Sequence, residues 1–446
     1  MPASLTHRFP ATLCALLLTV LTGPAGAAEV RPLTLDQALE IAAARNRAIA
    51  KAAEFRNQAQ GIYIAQRAAA LPQLTVKGTL AREDDDAVDT PVYNRRETSL
   101  QLDQVLFTWG QVQAGIRAAK IGLQTADEQL RASRQTALRD ASAAFYDILL
   151  ARELNGVFAQ NLAQKSRRLA EARRRQALGI ATDYDLLVAE VAEVNARPEV
   201  LRSANLITSR RDRLRLVLGL NEPVDAVGEL TAILVEPPGY EAALAVARER
   251  RPELRDLRHR IGIAEELVTV ARAGDKPRLD LTGSYGWKEL DTSSADNDGK
   301  TWDLGLQLSW PIFDGLQTSG RVQQVKSERD SLLIDEQQLL DVVALEVREA
   351  IDAIKIAIEL VRALEGNVAQ AGKLLRLAEK GFEYGVKIRL EVDDAELNLR
   401  QTQSSLALAR RDYLVAATDL GRAMGILGED DLPGLPAMPA ATPTPR

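Results

Sequence analysis

The sequence predicts a mixed α and β membrane protein, internally duplicated. Very long coiled-coil helices continue from strands that cross a membrane as part of an oligomeric barrel. Three observations predict it. In the stretch LGLQLSWPIFDGLQTSGRVQQ (304–324), Leu304, Leu306, Leu308 and Trp310 alternate with Gly305, Gln307 and Ser309, the period of a two-faced strand. Pro311 and Gly315 end the alternation, and a long Gln-, Ala- and Leu-rich helical run follows directly. Downstream, apolar residues step by three and four without a slip from Leu340 to Phe382, which is a heptad seam. Finally, residue matches recur at a fixed offset along the chain.

The elements are taken in order. His7 and Arg8 precede an apolar run from Leu13 to Leu21, and Ala25-Gly26-Ala27 supplies a small-x-small cleavage site, so 1–27 reads as a secretory signal peptide. Cys14 follows Leu13 rather than a small residue, and lipidation there is not expected. The mature chain then has no cysteine, hence no disulfide. Loss of Arg8 with the leader takes the net charge from −6 to −7, with both signs interleaved, which argues against nucleic acid as a partner. No mature segment offers the ~18 apolar residues of a spanning helix, so any membrane crossing falls to strands.

Repeat 1 (28–220) and repeat 2 (241–427) match at an offset of 205 residues upstream (Pro72 with Pro277, Gly78 with Gly283) and 206 downstream (Phe107 with Phe313, Gly179 with Gly385, Gly219 with Gly425). Each repeat reads as a helix (35–71; 241–274), two strands (73–82 and 98–107; 278–288 and 301–312), a long helix (110–177; 315–384) and a returning helix (183–218; 391–426). The strands are expected to be joined by polar loops (82–97; 289–300), in which Asp84-Asp85-Asp86 and Asp296-Asn297-Asp298 lack full calcium-ligand spacing. Residues 221–240 form a linker with some strand character, and 428–446, rich in Pro and Ala, reads as a disordered tail. A helix over 315–384 is roughly 105 Å long and cannot fold back into a compact core. The first repeat keeps the heptad phase but admits Asn155 and Lys165 into the seam.

All four tryptophans, Trp109, Trp287, Trp302 and Trp310, lie in or beside the strands with Phe107 and Phe313, as in an interfacial aromatic girdle. Four strands cannot close a barrel, and open edges cannot sit in lipid. The chain must therefore assemble, two copies giving 8 strands, three 12 and four 16. An enzyme is excluded on composition: His259 is the only mature histidine, and there is neither cysteine nor a glycine-rich phosphate loop, so no cofactor, zinc cluster or His-based triad is expected. A periplasmic coiled-coil adaptor or scaffold would explain the rods but not the strands.

The sequence resembles the outer-membrane efflux protein family, the TolC-like export ducts of Gram-negative bacteria. The resemblance rests on LTLDQALEIAAARN (33–46), the junctions LFTWGQ (106–111) and PIFDGLQTSG (311–320), and the tips ALGIATDYDLLVAE (177–190) and FEYGVKIRLEVDDAE (382–396). It implies a homotrimer with a 12-stranded barrel in outer-membrane lipid and an α-helical barrel through the periplasm, without catalytic activity or metal. It implies partners too: a periplasmic adaptor (membrane fusion protein) and an inner-membrane pump or ABC exporter. By position after the tip glycine, Glu391 and Asp394 match the family's constriction carboxylates, Asp185 the polar position of the first tip, and Lys387 a basic gate residue. Glu391 departs from the pattern in being Glu, and Asp393 adds a charge. Asp183, Asp185, Glu391 and Asp394 also suit helix N-termini, and Thr182 with Asp185 fits a capping arrangement. The two tips, Leu178-Gly179-Ile180 and Tyr384-Gly385-Val386, are the expected adaptor-docking points.

Overall fold

A computed structural model describes residues 30–84, 92–292 and 296–428. The expected leader, the tips of the two strand loops (Asp85 and Asp86 included) and the tail from 429 onward lie outside the described residues. The chain runs β1 (Arg31–Leu33), α1 (Leu35–Arg45), α2 (Arg47–Ala68), β2 (Gln73–Asp84), β3 (Val92–Phe107), α3 (Gln111–Ala177), α4 (Asp183–Leu218), β4 (Val224–Ala226), α5 (Tyr240–Arg250), α6 (Pro252–Arg272), β5 (Arg278–Thr292), β6 (Asp296–Ser309), α7 (Gln317–Glu383) and α8 (Arg389–Ala423). Helices α3 and α7, 67 residues each, are each about 100 Å long.

β2 to β6 form an antiparallel sheet in the order β2-β3-β5-β6. Its registers put Leu74 opposite Leu102, Leu100 opposite Tyr285, Tyr285 opposite Trp302 and Leu281 opposite Leu306, so one face is apolar across all four strands. The other face carries Gln101, Asp103, Ser284, Asp303 and Gln307. The rods keep the same lateral order. Nearest the sheet α2 packs on α3, α3 on α6 and α6 on α7; towards the far end α4 packs on α3, α3 on α8 and α8 on α7.

The strands, 12 to 16 residues long, extend past the expected ranges on the loop side and take in most of the segments read as loops, while β6 stops at Ser309, short of the expected 312, just ahead of Pro311. Ladder pairing needs no apolar side chains, and cross-strand ion pairs such as Arg95–Glu83 (2.7 Å) and Arg96–Glu289 (2.9 Å) support it beyond the apolar band. The two helices expected over 35–71 and 241–274 are each broken. Asn46 turns extended (φ −62°, ψ 129°), its side chain accepts from Ala48 N and donates to Val217 O at 2.7 Å; Arg251 is likewise extended (φ −62°, ψ 124°), without a side-chain cap, ahead of Pro252 at the first position of α6.

These breaks seat the returning helices. A Cβ on Gly219 (φ +68°) would lie 2.4 Å from Arg45 O, and one on Gly425 (φ +73°) 2.7 Å from the Arg250–Arg251 backbone, so both close approaches require glycine. The main core sits at the middle of the rods, where Phe145, Ile148, Leu214, Leu254, Val343, Val347 and Leu420 are buried beside the small parallel pair β1–β4. Tyr413 fastens the linker there, donating to Ile233 O (2.9 Å) and accepting from Val235 N (2.8 Å).

Candidate functional site

The far ends of the two helical hairpins carry most of the expected site residues. Each long helix ends in a left-handed glycine, Gly179 (φ +74°) or Gly385 (φ +72°). The next amide reaches back, Ile180 N to Arg175 O and Val386 N to Gly381 O, closing the last turn. Leu178, Ile180, Tyr384 and Val386 stand out from these turns, each more than 70 % exposed.

Asp185 lies in a local cap: it accepts from Thr182 N at 3.0 Å while its own N–H donates to Thr182 Oγ1 at 3.2 Å. The Thr182 amide, and then the Thr182 hydroxyl donating to the same carboxylate at 2.7 Å, hold that carboxyl below the ordinary range. Glu391 accepts from Lys387 Nζ at 2.5 Å and from Ile388 N at 3.1 Å, and the ammonium, then the amide, hold its carboxyl low. Asp394 is exposed and makes no hydrogen bond or ion pair with another described residue. Glu391 and Lys387 are thus joined within one hairpin. Asp185 is kept in the other.

The contact between hairpins is made by residues outside the expected set. On α3, Gln164, Lys165 and Arg168 face Asp393 and Glu396 of α8. Glu396, with a side chain 6 % exposed, accepts from Gln164 Nε2 at 2.5 Å, Lys165 Nζ at 3.0 Å and Arg168 Nη1 at 2.7 Å. Asp393 adds Lys165 at 3.3 Å, Arg168 at 3.0 Å and Arg389 at 3.5 Å. Burial pushes the Lys165 ammonium down, against the pull of Asp393. The sequence did carry half the signal, because Lys165 interrupts an apolar seam; it did not show which carboxylates answer it.

The girdle candidates fall into two rows. Phe107 and Trp109, in edge-to-face contact with centroids 5.3 Å apart, stand with Trp310 and Phe313 at the helical end of the sheet. Trp287 and Trp302 stand with Tyr285 eight residues along β6 from Trp310, about 27 Å at strand rise. The exposed apolar face lies between the rows. Among the described residues no helix is long and apolar enough to cross a membrane.

A four-stranded sheet apolar on one face, unpaired at both edges and continuous with rods of about 100 Å, defines the class: this is one segment of a channel wall. Comparison with known proteins narrows it. The sequence profile described as outer membrane efflux protein matches residues 38–220 and 243–426, the two repeats in turn, and the chain belongs to that family. Outer membrane efflux protein BepC of Brucella suis is 28 % identical over 425 residues, covering 93 % of this chain and 89 % of that protein. Alkaline protease secretion protein AprF of Pseudomonas aeruginosa is 27 % identical over 389 residues (82 % and 79 %). The crystal structure of the Campylobacter jejuni CmeC outer membrane channel superimposes with a TM-score of 0.78 at 16 % identity, covering 89 % of this chain and 87 % of that one, and so shares the fold. The protein is an outer-membrane channel of efflux or secretion, not a periplasmic adaptor, and its family is one of channels rather than of enzymes.

Proposed function

We propose that three copies close into a tube, a 12-stranded barrel in outer-membrane lipid continuous with an α-helical tunnel through the periplasm. The tube passively conducts cargo handed over by an inner-membrane pump or ABC exporter through a periplasmic adaptor. One observation carries the reading: the sheet is apolar on one face and polar on the other, and its edge strands β2 and β6 leave backbone groups that lipid cannot satisfy. Strand β6 runs opposite to β2, so copies join antiparallel around the ring, and three chains supply twelve strands. The two aromatic rows bound the lipid-facing band as girdles.

At the far end Asp394 presents the free carboxylate of a constriction, one per copy, beside the Lys387–Glu391 pair. Asp185 contributes a cap rather than a gate contact. The ion cluster of Lys165 and Arg168 with Asp393 and Glu396 fixes the second hairpin, and the constriction with it, against the first. The exposed turns at Leu178-Gly179-Ile180 and Tyr384-Gly385-Val386 receive the adaptor.

Single-channel conductance of the purified protein in planar bilayers tests the reading. A small, steady conductance blocked by divalent cations on the tunnel side is expected, with Asp394→Asn weakening the block. Protein that stays in solution without detergent and never conducts would overturn it.

A further inference from the structure

The last helix of the second repeat ends on the first repeat, beside an open cleft. Past α8 the chain turns at Gly425, whose carbonyl accepts from Gln135 Nε2 of α3 at 2.8 Å. It then reaches Gly428 (φ +83°), where a Cβ would lie 2.6 Å from Leu138 Cδ1 of α3. Leu427 and Gly428 line one end of a cleft between α1 and α3. Two adjoining cavities, of about 190 and 550 Å³, make up this cleft and share Glu40, Ala43 and Arg134. Along α3 it runs from Leu138 towards Asp127, about 17 Å at helical rise. Its outer half carries the apolar side chains of Ala44, Ile49 and Leu130.

Guanidinium groups gather where the chain enters. Arg131 Nη2 donates to Arg250 O at 3.4 Å, and the Arg250–Arg251 backbone is the one that Gly425 approaches. Arg134, one turn from Leu138, is exposed and makes no hydrogen bond or ion pair with another described residue. Of the nearby carboxylates, Asp127 is held by Arg56 at 2.5 Å and Glu128 by Arg131 at 2.6 Å, while Glu40 stands at the rim. The repeat does not demand these cations: 206 residues on, Arg131 and Arg134 correspond to Gln337 and Leu340. Nor does the repeat supply the sequence that follows. After α4 the matching stretch is Asn221-Glu222-Pro223, with a single acid, and it leads into β4. After Gly428 come Glu429-Asp430-Asp431-Leu432, three carboxylates and then one large apolar side chain.

We propose that residues 429–432 lie in this cleft of their own chain. The three carboxylates sit among Arg131, Arg134 and Arg250, and Leu432 packs on Ala44, Ile49 and Leu130. Four extended residues span about 13 Å, and Leu130 lies about 12 Å along α3 from Leu138. The order of the segment thus matches the order of the cleft, charge first and apolar surface after. The strap takes four residues out of the stretch read as a disordered tail. It ties the root of α8 to the first repeat, and the other end of that helix carries Asp393, Asp394 and Glu396. The strap requires neither a ring nor a membrane, so it stands or falls apart from the proposed function.

The full-length protein with Cys14→Ser has no other cysteine, so a pair of introduced thiols reports cleanly. Leu432→Cys with Ala44→Cys should close a disulfide within one chain under mild oxidation, read as a linked peptide pair in a digest of the monomer band. Neutralising the acids together (Glu429→Gln, Asp430→Asn, Asp431→Asn) should slow the linking about 3- to 10-fold, as expected for a few exposed ion pairs. Arg134→Gln should slow it in the same direction, and so should added salt when the acids are intact. Linking that is as fast without the acids overturns the strap, because a freely sampling segment would behave in that way. Linked dimers in place of linked monomers place the segment on the next copy and overturn the same-chain assignment. No link, with both thiols open to maleimide, overturns the cleft as its seat.

Discussion

Replacing Glu396 by leucine should loosen the second hairpin from the first. Its side chain is 6 % exposed and accepts from three donors; the substitution leaves Lys165 (17 % exposed) and Arg168 (15 %) facing Asp393, which Arg389 also draws on. Removing one partner of a buried ion pair costs about 3–5 kcal/mol. Asp393 remains and both stems are long enough to reach water, so the cost falls below that scale, at about 2–3 kcal/mol. As a local opening equilibrium this is about 30- to 150-fold less protection from amide exchange. The measurement is hydrogen exchange over residues 389–400, with 406–420, which pack in the central core, as internal reference. The further variant Lys165→Met, Arg168→Met with Glu396→Leu removes the stranded cations and should return to within about 1 kcal/mol of the parent, since apolar replacement of a whole buried cluster is close to neutral. Unchanged protection in Glu396→Leu, or a triple variant no better than the single one, would show that the seam of Ala378, Val392 and Ala395 holds the hairpin without the ions.

Three other outcomes are expected. Tyr413→Phe removes the partner of a part-buried N–H and of a carbonyl in the linker and should cost about 0.5–1.5 kcal/mol, seen as faster exchange over 231–236 with the long helices unaffected. At the strand-to-helix junction of the second repeat Gly315 (φ +64°) and Leu316 (φ +70°) are both left-handed. Gly315→Val should therefore destabilise by about 1–2 kcal/mol or more, while Leu316→Gly, at an exposed site, should be neutral or stabilising by up to about 1 kcal/mol in thermal melts of the detergent-solubilised protein. The Glu391 carboxyl is held below its ordinary 4.5, so its stabilising share is fully present above that pH and is lost as the pH falls through the lower folded value. Exchange over 388–392 should quicken in that acid window beyond the intrinsic pH effect, and Lys387→Met should reduce the difference.

Sequence periodicity exposed what each face of an element is, and the structure keeps those faces: the strand alternation, the heptads and the duplication all reappear. It did not expose who covers a face. Asn46 looks like any polar residue inside a helical run; only its bond to Val217 O, 171 residues away, shows why the chain breaks there. Pro252 was a local signal for a new helix start that the long apolar pattern outweighed. Strand ends were underestimated because pairing persists where side chains turn polar. Asp185 matched a family position, yet its hydrogen bonds are spent on its own helix turn. Asp393 and Glu396 sat within a quoted motif, but the cations that bind them lie some 230 residues earlier.

A chain that is two copies of one unit would by itself build a tube of equivalent staves with equivalent joints. The departures from that symmetry show where equivalence has been given up. Glu190 and Glu396 occupy matching positions, but Glu190 pairs across its own hairpin with Arg173 in the open (3.0 Å), whereas Glu396 is buried against the other hairpin. Lys165 and Arg168 correspond to Ala371 and Leu374. Asp185 and Glu391, both at the third position of a returning helix, cap in the same way through their N-cap amides, but Glu391 alone also binds a lysine. Such departures also occur towards mid-rod, where Arg139, which binds Asp419 at 2.7 Å, corresponds to Leu345, although the glycine contacts there match in both repeats. What the two repeats share at mid-rod is the close backbone approach at Gly219 and Gly425. At the far end the repeats differ in charge, and on the proposed function the ionic contact of Lys165 and Arg168 with Asp393 and Glu396 lies beside the proposed constriction, where a change in charge can move it.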